Sequence, residues 1–233
     1  MSRDPDFSPI NPMSPVVVIF FLIMLGLEAA FSLGNQGLMG GPAAVGWRAA
    51  AIQEYGFNGA VWDWMWQQGV WPWWHVMRLV TYLFIHGNFT HMIVAGVMLL
   101  ALGKFVGEVF APWAVAAVFL GSGIGGAVIW AVLLNDSSYL VGAFPGVYGL
   151  IGAFSYVLWL RLGQSGDNQM RAFALIGFLM LIKLVFGVMF SFFGQDTGTD
   201  WLADLGGFGC GFLLSFVVSP GGFARVRGKL RHD

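Results

Sequence analysis

Apolar residues fill the chain in blocks of about twenty, with short polar breaks between them. That spacing predicts helices that cross a lipid bilayer. The blocks cover residues 15–34, 77–103, 112–134, 146–162, 172–193 and 201–218. The first has a long apolar core and no small-residue cleavage site close to its end. It therefore reads as a retained span and not as a cleavable signal peptide. Pro145, a residue suited to the first turn of a helix, puts the start of the fourth span near that position. That span is short, so its start is expected below the outer surface, beside a cavity open to the outer side. The predicted architecture is an all-α polytopic bundle of six helices. A long loop, 35–76, joins the first two. No internal repeat is visible, and the other connections are short, so one compact domain at 15–218 is expected. It is flanked by a segment at 1–14 and a basic tail at 219–233.

Composition sharpens this picture. The chain is 58% hydrophobic and 10% charged, against about 25% charged in soluble domains. A disordered chain, a disulfide scaffold and an ordinary soluble enzyme are excluded. Cys210 is the single cysteine and cannot form an internal disulfide. The net charge of −1 gives no reason to expect a nucleic-acid partner. The lipid bilayer itself is the first expected partner. In the long loop, Trp62, Trp64, Trp66, Trp71, Trp73 and Trp74 cluster. They suit either an amphipathic structure in the headgroup region or a packed loop outside the membrane. Interfacial tryptophans need no ligand, so no cofactor is expected.

Charge also orients the bundle. Six spans place both termini on one side, together with Arg3, Lys104, Arg161, Arg171, Arg225, Arg227, Lys229 and Arg231. Only Arg48 and Arg78 lie near the other face. The positive-inside rule then predicts cytoplasmic termini.

Ionisable groups inside apolar spans are costly and mark candidate sites. They are Glu28 in the first span, His86 and His91 at the start of the second, Lys183 in the fifth and Asp204 in the sixth. On one ideal helix, residues 86 and 91 would lie about 140° apart. A zinc-binding pair sits four apart on one face, so no metal site is expected. Gly207 and Gly211 form a G-x-x-x-G face suited to close helix contact.

Taken together, these segments resemble the rhomboid family of intramembrane serine proteases, over roughly residues 10–220. His86 and His91 match the family's H-x-x-x-x-H pattern. Gly142, Tyr148, Gly149, Leu150 and Gly152 match the frame of the fourth helix. Ala203, Gly207 and Gly211 match the sixth. Arg78 matches the arginine of the loop-one W-R motif, with Met77 in place of the tryptophan. The resemblance implies that the catalytic serine falls at Phe144, the following glycine at Pro145, the general-base histidine at Asp204 and the oxyanion asparagine at Ala95. Of the reacting groups, His91 alone is retained, and His86 keeps a supporting role.

Acyl transfer needs an oxygen or sulfur nucleophile beside a base. Phe144 has neither atom. Ser137 and Ser138 precede the helix, and Ser155 lies about three turns deeper. No catalytic residue is therefore expected. Phe144 is expected to plug the hollow, with Asp204 hydrogen-bonded to His91 or Tyr148 as a structural clamp. Lys183 is a further candidate partner, and exposure of Asp204 at the outer rim is the alternative. Three functions stay open. The first is a rhomboid-like protein without proteolysis that binds transmembrane segments of client proteins. The second is an endopeptidase using non-standard residues, and the third is a small transporter built on Lys183 and Asp204. A bacterial inner membrane is the expected location.

Overall fold

The computed structural model describes residues 13–134, 137–192 and 200–221. The expected N-terminal segment and basic tail, with Arg3, Arg225, Arg227, Lys229 and Arg231, lie almost wholly outside the described residues. In chain order the elements are α1 (Pro15–Asn35), α2 (Trp47–Tyr55), β1 (Phe57–Asn58), α3 (Gly59–Gln68), α4 (Trp73–Val76), α5 (Arg78–Thr81), α6 (Phe89–Gly107), α7 (Pro112–Leu134), β2 (Tyr139–Leu140), α8 (Phe144–Ser165), α9 (Ala174–Phe192) and α10 (Trp201–Val218). Helices α1, α6, α7, α8 and α10 are each long and apolar enough to cross a membrane. Helix α9 adds nineteen residues whose apolar run is interrupted by Lys183. The protein is a polytopic all-α membrane bundle.

Glycines set how closely the central helices approach. A Cβ at Gly207 would run into the backbone carbonyl of Pro145, and one at Gly211 into that of Gly149. Helices α8 and α10 therefore touch backbone to backbone, as small residues allow in lipid. A Cβ at Gly126 on α7 would meet the carbonyl of Ala203. Helix α1 packs on α6 by the same device, with Val17 against Gly103 and Phe21 against Gly96.

The second span departs from expectation. Its helix starts at Phe89, twelve residues later than the apolar run suggests. Asn88 accepts a hydrogen bond from the backbone N–H of His91 at 2.8 Å and caps α6. Ahead of it, Ile85 is extended, and residues 78–84 make short helical turns. His86 thus lies on a connector and not on α6, so the 140° separation does not apply. The rings of His86 and His91 meet edge to face, 5.1 Å apart. Helix α8 starts at Phe144, with Pro145 in its first turn, and runs for 22 residues. The shortness expected of this span is therefore not found.

The long loop folds onto the bundle by one face. Trp62 and Met65 of α3 are buried, while Trp64, Trp66, Trp71, Trp73 and Trp74 are exposed. Phe57 lies among Trp62, Tyr82 and Trp130 at ring separations of 6.1–6.2 Å. The loop's short strand β1 pairs antiparallel with β2, Phe57 opposite Leu140 and Asn58 opposite Tyr139. Asn58 also caps α3 and donates to the carbonyl of Ser137 at 2.6 Å. The loop thereby holds the segment that leads into α8.

An ion pair fixes the other end of the loop. Glu28 of α1 is 2% exposed. Arg48 of α2 reaches both its oxygens, at 2.6 and 2.8 Å, and Ser32 donates to it at 2.8 Å. Arg48 also donates to the carbonyl of His86 at 2.7 Å. Removing one partner of a buried pair strands the other charge, at about 3–5 kcal/mol, whereas replacing both by apolar groups is close to neutral. Arg48→Leu is therefore expected to destabilise the bundle by that amount, and adding Glu28→Leu to recover much of the loss. Reversible unfolding in lipid checks this; equal stability of wild type and Arg48→Leu would refute it.

Candidate functional site

The residues singled out by sequence converge at the start of α8. Gly142 has a φ of +106°, a conformation that favours glycine. A Cβ there would sit 2.6 Å from the His91 ring. The N–H of Gly142 bonds the carbonyl of Tyr82 at 2.9 Å. The N–H of Ala143 bonds Nε2 of His86 at 3.3 Å. His86 thus holds the backbone that places Phe144 on the first turn of α8, and the His91 ring leaves no room for a side chain at Gly142.

His86 is neutral in this position, since its Nε2 accepts a hydrogen bond. Burial lowers its pKa from 6.5 to about 4, and the nearby His91 adds to the fall. The opposing influences are Glu28 and a backbone hydrogen bond at Phe84.

Phe144 fills the place expected for a nucleophile. Its ring stacks on His91, centroids 5.1 Å apart and planes 18° from parallel. It meets Tyr148, one turn further along α8, edge to face at 6.4 Å. Ala95, one turn after His91 on α6, is wholly buried and brings no polar atom. Asp204 lies in the first turn of α10, 1% exposed. Its carboxylate accepts a hydrogen bond from Lys183 of α9 and forms an ion pair with it. The expected bond to His91 or Tyr148 is therefore replaced by one to Lys183, whose flexible stem reaches the carboxylate. Exposure of Asp204 at the rim is excluded. The Lys183 ammonium also lies 5.4 Å from the ring centres of both Phe144 and Tyr148, within cation–π range. Gly149, Gly207 and Gly211 serve the helix crossing beneath.

In this arrangement the carboxylate at 204 faces an ammonium, and the side chain at 144 is a hydrocarbon ring. Ser137, Ser138 and Ser155 sit elsewhere. The backbone carbonyls of Ser137 and Ser138 bond Asn58. Ser155 is buried in α8 with its hydroxyl unpaired. Among the described residues, no three His, Cys, Asp or Glu side chains are grouped to hold a metal ion.

Comparison with known proteins decides the family. The rhomboid domain model matches residues 73–221, well over half of the chain. The protein belongs to the rhomboid family. Among its relatives is RHOMBOID-like protein 4 of Arabidopsis thaliana, 28% identical over 141 residues, which are 60% of this chain and 34% of that protein. RHOMBOID-like protein 1 of the same plant is 28% identical over 170 residues, 67% of this chain and 41% of that protein. The rhomboid relative YdcA of Bacillus subtilis is 26% identical over 145 residues, 62% of this chain and 67% of that protein. The chain thus spans well under half the length of the plant relatives it matches. The rhomboid domain match begins at Trp73 and leaves α1 and most of the first loop outside it. Those parts include Glu28 and Arg48, and sequence reasoning missed their pairing. A signal was present: one carboxylate in the first span, and only two arginines near the face it approaches.

The histidine contact has a pH consequence. A histidine whose folded pKa lies below its unfolded value binds more protons when unfolded, so stability falls with pH across the interval. The unfolding temperature is expected to be steady above about pH 7 and to drop between 6.5 and about 4. His86→Gln, which keeps an acceptor but cannot titrate, is expected to flatten that drop. Identical pH profiles for the two proteins would contradict the assignment.

Proposed function

We propose that this rhomboid-family protein binds transmembrane helices of other membrane proteins and leaves their peptide bonds intact. The observation that carries the reading is the filled and ion-paired site at Phe144, Asp204 and Lys183. Acyl transfer requires a nucleophilic atom and a base within hydrogen-bond reach. At the position of the first stands a phenyl ring stacked on His91. At the position of the second stands a carboxylate engaged by an ammonium. What persists is a bundle with closely crossing α8 and α10 and a polar centre within the membrane, a surface suited to another helix. The charge pattern supports cytoplasmic termini, and we place the protein in a bacterial inner membrane.

Purified protein in lipid, given a fluorophosphonate probe and a helical transmembrane substrate, is expected to show neither labelling nor cleavage while retaining the intact substrate in complex. Cleavage that disappears in Asp204→Ala or His91→Ala would overturn the proposal in favour of an unconventional endopeptidase.

A further inference from the structure

We propose that Asp204, Phe144 and Tyr148 form a receptor for a basic side chain of a client transmembrane helix, and that Lys183 is its tethered, autoinhibitory occupant. The inference rests on the helix-binding function proposed above and adds the chemistry that selects the client.

Three observations define a cation site. The first is a carboxylate that is 1% exposed and directed at an ammonium. The second is a pair of aromatic faces, each with its centre 5.4 Å from the same nitrogen. A buried carboxylate combined with aromatic faces is how proteins hold ammonium and guanidinium groups away from water. The third is a further carboxylate, Asp200, exposed at the start of α10 one turn before Asp204. It adds negative potential on the path inward.

The present occupant is less firmly enclosed than its site. Lys183 is 28% exposed, against 1% for Asp204. It arrives on α9, whose first turns pack against the bundle. Phe173, just before α9, lies 5.4 Å from Phe212 and 6.3 Å from Phe208 of α10, and Ile176 is buried. Further along, Leu181 and Val185 are exposed on either side of Lys183. A long lysine stem can swing its head toward the membrane surface while its carbons stay in apolar surroundings. Exchange of this ammonium for a client's leaves the charge in the site unchanged, so no charge is left buried and unpaired. Arginine is the better competitor, because its planar fork can engage both carboxylate oxygens and stack on the rings. A helix carrying an acidic residue is disfavoured by Asp204 and Asp200 together.

The test uses the full chain in lipid nanodiscs and synthetic polyleucine helices labelled for energy transfer, with Arg, Leu or Glu in the outer third. The Arg helix is expected to bind wild type more tightly than the Leu helix, and the Glu helix least. Lys183→Met vacates the site and is expected to tighten the Arg helix by roughly tenfold while leaving the Leu helix unchanged. Asp204→Asn added to Lys183→Met is expected to abolish the preference for Arg. This double variant carries no unpaired charge, so its comparison with wild type decides the matter even if Lys183→Met alone fails to assemble. Equal binding of Arg and Leu helices to wild type and to the double variant would overturn the cation receptor while leaving helix binding intact. Absence of binding by every helix would overturn both.

Discussion

A carboxylate buried inside the bundle needs a counter-charge, and at Asp204 that need organises the centre of the molecule. The counter-charge comes from another helix, because the long stem of Lys183 carries an ammonium from α9 to α10. In low-dielectric surroundings neither charge is stable without the other. The same ammonium lies over Phe144 and Tyr148, so one cation ties together α8, α9 and α10. Phe144 completes the arrangement by stacking on His91, which adds α6. Four helices thus converge on one point.

A second buried carboxylate performs a parallel task on the other side of the bundle. Glu28 draws in Arg48, and the same guanidinium holds the carbonyl of His86. The His86 ring in turn holds the N–H of Ala143, immediately before Phe144. The first loop, the connector before α6 and the start of α8 are therefore linked by one chain of polar contacts. Each group in it is satisfied by a neighbour from a different element, as apolar surroundings require. These polar contacts attach one element of the bundle to another.

Much of this was legible in the sequence. Helices α7 and α10 match the apolar blocks 112–134 and 201–218 because each block is bounded by proline, glycine or charged residues. The second block misled because hydrophobicity does not separate a helix from a buried connector. Tyr82 and Leu83 are fully buried without belonging to the spanning helix. The cap at Asn88 was the missed cue. At the site, the family frame named Phe144, His91, Tyr148 and Asp204, which the fold brings together, but it did not supply their contacts. Short side chains at fixed helical spacing are predictable. The reach of Lys183 across to α10 and of Arg48 back to α1 depends on tertiary placement and on flexible stems, which a linear pattern does not encode.

The most direct measurement is the protonation state of Asp204 itself. Infrared difference spectra between wild type and Asp204→Asn, in bilayers near neutral pH, separate an ionised carboxylate from a protonated carboxyl. The account predicts that the substitution removes an ionised carboxylate band, which gives way to a protonated carboxyl band when Lys183 is replaced by methionine. A protonated carboxyl at Asp204 in wild type, unaffected by loss of the lysine, would contradict it.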